Sequence, residues 1–171
     1  MSGRLGAGQK AATVRFQAPL LDRLIDLAPD QSRDPPGSAS DSLLSLRNAV
    51  RRDLEALLNA LRTWQSWPES LKELAVSPIG YGMPDFSSGA FNDARQREEL
   101  RLQIEETIRR FEPRFIRVSV TLLQAETPLE STLRLRIDAL LHAEPAPEPM
   151  TFDSLVDPSN DEVSIVARDV E

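Results

Sequence analysis

A chain of 171 residues, 40% of them hydrophobic, can bury one modest core and still leave length for tails. Its net charge of -7 disfavours bulk attraction to nucleic acid or to an anionic membrane. The absence of cysteine excludes disulfides, thiol catalysis and cysteine-bound metal, and leaves the redox compartment open.

Taken in order, residues 1–15 read as a mobile tail, because Gly3, Gly6 and Gly8 interrupt any pattern. They contain no continuous apolar run of the kind a signal peptide needs, and no stretch of about 18 apolar residues occurs anywhere, so neither signal peptide nor membrane span is expected. In residues 16–27, Phe16, Leu20, Leu21, Leu24, Ile25 and Leu27 predict a short amphipathic helix, or equally a docking peptide. Residues 29–40, with Pro35-Pro36-Gly37, read as an exposed linker.

The strongest helical pattern of the first half lies over residues 41–61. Ser40 or Asp41 is placed to accept the free amide hydrogens at its start, and Leu43, Leu46, Val50, Leu54, Leu57 and Leu61 follow at steps of three or four. Arg47, Arg51, Arg52 and Glu55 make the opposite face, expected to be solvated. Trp67-Pro68 ends the pattern, and Trp64 and Trp67 are expected to cover the core, with an interface as the alternative. After a short helix or strand at 71–76, two glycines and two prolines around Tyr81, Met83 and Phe86 predict an ordered loop that tucks apolar side chains beneath itself.

From Asn92 a second helix carries Leu100, Ile104, Ile108 and Phe111 along one side, with Arg101, Glu105, Glu106, Arg109 and Arg110 in water. Pro113 forces Glu112 toward extended geometry, so the helix ends near Phe111 or Glu112 and a strand follows. Ile116, Val118, Val120 and Leu122 alternate with Arg117, Ser119 and Thr121, and Leu133, Leu135, Ile137, Ala139 and Leu141 alternate with Arg134, Arg136 and Asp138. The connection between these strands suits a wide antiparallel hairpin. Residues 143–149 are extended and proline-rich, and strands at 151–156 and 163–167 are expected to extend the hairpin's sheet or occupy its edge. The resulting fold class is α+β, with N-terminal helices packed on a mainly antiparallel sheet built around a hairpin.

Candidate chemistry is sparse. His142 is the one histidine, and no phosphate-binding loop, dinucleotide fingerprint or H-E-x-x-H occurs, so no cofactor and no metal site is expected. Glycoside hydrolysis needs only two carboxylates, and Glu112 with Asp85 is the pair to consider. Arg114, two residues on, favours the charged form of Glu112, which is the wrong direction for a general acid. Glu112 and Arg114 read either as an exposed ion pair or as groups that a rigid proline corner presents to a partner.

At this corner the chain resembles the type VI secretion baseplate subunit family TssE, related to the wedge and sheath-initiator protein of contractile phages and often labelled lysozyme-like. The resemblance rests on Glu112-Pro113-Arg114 between helix and hairpin, on residues 51–59 with their Arg-Arg-Asp-Leu-Glu-x-Leu-Leu-Asn pattern, and on the loop Tyr81-Gly82-Met83-Pro84-Asp85-Phe86. It implies a non-enzymatic subunit of a cytoplasmic baseplate on the inner membrane, which binds the wedge proteins TssF and TssG and starts the contractile sheath by accepting sheath strands on its hairpin. Glu112, Pro113 and Arg114 would contact wedge partners or hold the hairpin in place, and Asp85 and Phe86 join them as candidate partner-binding residues. Neither nucleic-acid binding nor direct membrane insertion belongs to this reading. The implied organisation is a tail (1–15), a short helix and linker (16–40), a wedge domain (41–142) and a proline-rich connection with terminal strands (143–171).

Overall fold

A computed structural model of the chain describes residues 24, 30, 39–64, 66–68, 70–85, 93–123, 132–143, 146–157 and 162–168. Apart from Leu24, the segment expected as a short N-terminal helix lies outside the described residues, as does Phe86. Two helices, α1 (Ala39–Asn59) and α2 (Ala94–Phe111), pack on four strands: β1 (Phe115–Leu122), β2 (Leu133–Leu141), β3 (Glu148–Asp157) and β4 (Glu162–Arg168). The sheet is wholly antiparallel in the order β1-β2-β3-β4.

α1 begins two residues before the expected start at Asp41 and ends two before Leu61. Of the apolar stripe that the spacing predicts, Leu46, Val50, Leu54 and Leu57 are buried, joined by Ala49 and Leu58, whereas Leu61 lies past the helix end and is exposed. The charged face departs from expectation. Arg47 reaches Glu148 of β3 at 3.6 Å and Arg51 donates to the Ile165 carbonyl of β4 at 3.4 Å, so these arginines lie along the sheet and do not simply sit in water.

In the connection that follows, Trp64 is 61% exposed, which overturns its expected place over the core. Trp67 instead stacks beneath Arg62, whose guanidinium lies 5.8 Å from the ring centroid. Residues 71–76 resolve as a 3-10 turn, Lys72–Val76, followed by a second at Pro78–Gly80. The loop then returns under α1: Met83 is buried, its N–H donates to the Ala60 carbonyl at 2.8 Å, and its carbonyl accepts from Arg62 at 2.7 Å. Gly82 makes this approach possible with φ 97°, since a Cβ there would stand 2.1 Å from the Ala60 oxygen.

α2 is capped by the Asp93 carboxylate, which accepts from the Arg95 N–H at 2.9 Å. It buries Leu100, Ile104, Thr107 and Ile108 against β1 and the core. The inner face of the sheet is apolar apart from Ser154 of β3: Val118 and Val120, alternate residues of β2, Met150, Phe152 and Val156 of β3, and Val163 and Ile165 of β4. Side chains of this size each contribute about 1.5–3 kcal/mol when fully buried, so the sheet and two helices form one core. The outer face is mixed: Arg136 and Arg168 both reach Asp153, and Leu155 and Val166 are exposed beside them.

β2 is paired with β3 along its whole length and with β1 over residues 135–141. The hairpin therefore offers one open edge, on β1, and the second edge of the sheet lies on β4. Among the described residues no helix is long and apolar enough to cross a membrane.

Candidate functional site: the proline corner and the helix it is tied to

The corner is built from local rules. The α2 stripe advances by four from Leu100 through Ile104 and Ile108, and the next step is Glu112, which places a carboxylate on the buried side of the helix end. Its N–H closes the last helical bond onto the Ile108 carbonyl at 2.9 Å, and its own carbonyl accepts from Phe115 at 3.2 Å. Pro113 turns the chain, and the Arg114 carbonyl accepts from His142 at the end of β2 at 2.8 Å, which fastens the corner to the hairpin's far strand.

Glu112 is only 6% exposed, so its carboxylate must be matched. Arg114 matches it in a fork. Nε donates to Oε1 at 2.5 Å and Nη2 donates to Oε2, while the same Nη2 donates to Asp53 Oδ2 of α1 at 2.9 Å. Burial works against the Arg114 charge, but its bonds to Glu112 and Asp53 outweigh that and hold the guanidinium above its ordinary pKa. One guanidinium thus joins α1, the end of α2 and the start of β1. The exposed ion pair, one of the two readings of the sequence, is replaced by a triad in which Glu112 is buried.

Beside the triad lies a hollow of about 290 Å³ lined by Asp53, Leu57, Tyr81, Phe111, Glu112, Pro113 and Arg114. Tyr81 packs edge-on against Phe111 with ring centroids 5.3 Å apart. Burial first, then the nearby charges of Asp53 and Glu112, raises the Tyr81 phenol above its ordinary pKa. Pro113 is exposed at the rim. Asp85 is exposed and does not line the hollow, so the carboxylate brought to Glu112 is Asp53.

Residues 51–59 prove to be the fastening strip of α1. Arg51 reaches β4 and pairs with Glu55 at 2.8 Å, Asp53 holds Arg114, and Leu54, Leu57 and Leu58 fill the core. Asn59 bonds both backbone groups of Val163, accepting from its N–H and donating to its carbonyl, each at 2.8 Å. Sequence reasoning singled out this stretch without assigning Asp53 or Asn59 a task. A short polar side chain recurring inside a leucine-rich helix was the available signal.

Among the described residues no group of three or more His, Asp or Glu is arranged to hold a metal ion. Both Glu112 oxygens are engaged by Arg114, so the site as built is a clasp between elements.

No curated protein matches the chain. The family model of baseplate wedge protein gp25 matches residues 44–146, from the second turn of α1, through the loop and the proline corner, to the link before β3. That span contains Asp53, Asn59, Tyr81 and the whole Glu112-Pro113-Arg114 corner, and it covers well over half of the chain, so the chain belongs to the baseplate wedge protein gp25 family and its role is that of a structural component of a baseplate.

Proposed function

We propose that this chain is the TssE-type wedge subunit of a type VI secretion baseplate, that it binds the wedge proteins TssF and TssG, and that it seeds the contractile sheath by accepting a strand from a sheath subunit. The observation that carries this reading is the wedge-family match over residues 44–146, which holds together all three stretches on which the resemblance to TssE rests. It acts without catalysis, on the cytoplasmic side of the inner membrane.

In this reading the corner has two tasks. Glu112 and Asp53 set the position of Arg114, and the exposed rim of the hollow, with Pro113 and the outer edge of the Arg114 guanidinium, meets a wedge partner, with Asp85 and Phe86 as further candidate contacts. A guanidinium held by two carboxylates is pre-organised, which lowers the entropy lost on docking. The lysozyme-like label is set aside because a general acid needs a proton to give, and the Glu112 carboxylate is occupied on both oxygens by a guanidinium.

Co-expression of the chain with TssF, TssG and the sheath subunit tests the reading. Wild type is expected to capture all three, and Arg114→Ala, compared at a temperature where circular dichroism shows both proteins folded, is expected to lose wedge capture. Equal capture by the variant would move the contact away from the corner. Release of soluble fragments from peptidoglycan by wild type, abolished in Glu112→Gln, would replace the reading with a muralytic enzyme.

A further inference from the structure

The two open edges of the sheet are not equivalent, and backbone direction shows why. In an antiparallel ladder, residues alternate between bonding the neighbouring strand and facing away from it. The Leu123 N–H donates to the Arg134 carbonyl, which fixes the alternation across the whole sheet. On β1 the outward groups belong to Val118, Val120 and Leu122, and on β4 to Val163, Ile165 and Ala167.

Helix side chains occupy several of these groups. At Val120, the middle of the β1 edge, the N–H donates to Glu105 at 3.2 Å and the carbonyl accepts from Arg101 at 2.9 Å. Arg101 and Glu105 pair with each other at 2.9 Å, so the clamp is closed on itself. Below it the register shifts between Phe115 and Arg117, a bulge that breaks the regular edge. An incoming strand would find only single open positions either side of the clamp.

On β4 the occupied positions lie at one end. Asn59 takes both backbone groups of Val163, and Arg51 takes the Ile165 carbonyl. Among the described residues the Ile165 N–H and both groups of Ala167 have no partner. Val166, on the outer face of the same stretch, is 63% exposed, an apolar side chain with no cross-strand neighbour on its open side.

Building on the sheath-seeding reading, we propose that the incoming sheath strand adds to the C-terminal half of β4, along Ile165 to Arg168, and not to the β1 edge of the hairpin. The partner segment is extended, with apolar residues on the face that continues Ile165 and Ala167 and an apolar side chain beside Val166. Its backbone supplies the ladder and the alternation supplies the fit. β3 and β4 lie beyond the family match, so this edge belongs to a part of the chain that the match does not reach.

Ala167→Pro is the direct test. The Ala167 N–H faces away from β3, so proline removes the donor offered to a partner and leaves the β3–β4 ladder intact, as edge positions allow. The unfolding midpoint should match wild type. Capture of the purified sheath subunit should fall by about tenfold or more, as loss of main-chain pairing requires. Glu105→Ala, which opens the β1 clamp, should leave capture unchanged. If Ala167→Pro captures the sheath subunit as wild type does, the β4 assignment is wrong while sheath seeding stands. If wild type captures TssF and TssG but no sheath subunit, the seeding reading fails and the β4 proposal fails with it.

Discussion

Two arginine–carboxylate clusters adjoin each other, one along α2 and one just past its end, and do different work. Along α2, Arg101, Glu105, Glu106, Arg109 and Arg110 form a chain of i,i+3 and i,i+4 pairs that runs from the mostly buried Arg101 and Glu105 at the Val120 clamp out to the exposed Glu106 and Arg109. At the end of the same helix, Glu112 and Arg114 with Asp53 form a triad that is mostly out of water. The residue types are the same, and the burial of Glu112 separates them. An exposed pair is screened and costs side-chain freedom, whereas removing one partner of a buried pair strands a charge.

Arg114→Ala should therefore give the largest effect, destabilising the fold by about 3–5 kcal/mol, because the buried Glu112 carboxyl loses its match. Urea denaturation at neutral pH measures this. Replacing both residues, Glu112→Leu with Arg114→Leu, should recover much of the loss, since the stranded charge goes too. If the double variant were no more stable than Arg114→Ala, the triad's value would lie in the attraction itself and not in avoiding an unmatched charge.

A smaller effect belongs to the bond between helices. Asp53 is partly exposed and can be solvated when Arg114 is gone, so Asp53→Ala alone should cost less than Arg114→Ala. A double-mutant cycle between the two should return a coupling of about 0.5–3 kcal/mol. A coupling near zero would mean that Arg114 serves Glu112 alone, and that α1 is held to the corner only by apolar packing.

These two clusters were also unequally legible in sequence. The α2 pairs follow from spacing, as do the apolar stripes of both helices and the alternation of the hairpin strands. The proline corner was legible because Pro113 leaves the chain few options. Glu112's burial could have been read, since it continues the four-residue step from Ile104 and Ile108, but a carboxylate is rarely expected inside. Asp53 could not, because it meets Arg114 across 61 residues, and only the fold sets which of α1's charges faces the corner. Trp64 misled for the opposite reason, since aromatic size favours a core place and the 3-10 turns that follow leave it outside. The occupied strand edges were likewise invisible, because which backbone groups face outward depends on register, and register is a property of the assembled sheet.

Acid titration distinguishes the clusters by mechanism. Burial alone would raise the Glu105 carboxyl, but its bonds to the Val120 N–H, Arg109 and Arg101 outweigh burial and hold its pKa below the ordinary carboxylate value. A group depressed in the folded state adds stability that is complete above its unfolded pKa and is lost as pH falls through the folded one. Wild-type stability, followed by urea midpoint from neutrality down to about pH 3, should therefore show a component that Glu105→Gln removes. In parallel, the Val120 amide of that variant should exchange faster at neutral pH, since its acceptor is weakened. An unchanged acid limb would mean that the clamp on β1 carries no net stability and serves only to occupy the edge.

The smallest effect is expected one turn further along. Arg109 shares Glu105 with Arg101, yet it lies on the water side and touches no strand, whereas Arg101 also donates to the Val120 carbonyl. Arg109→Ala leaves Glu105 with Arg101 and the Val120 N–H, so neither charge nor backbone group is stranded, and no resolvable change in the urea midpoint should follow. Arg101→Ala removes the donor to Val120 and should shift the midpoint measurably, though by less than Arg114→Ala, because water can reach the freed carbonyl at a sheet edge. The three arginines then rank Arg114, Arg101, Arg109 by how much they leave unmatched and buried. Should Arg109→Ala prove as costly as Arg101→Ala, the ion-pair chain along α2 would act as one network, and burial would not be what separates the helix surface from the corner.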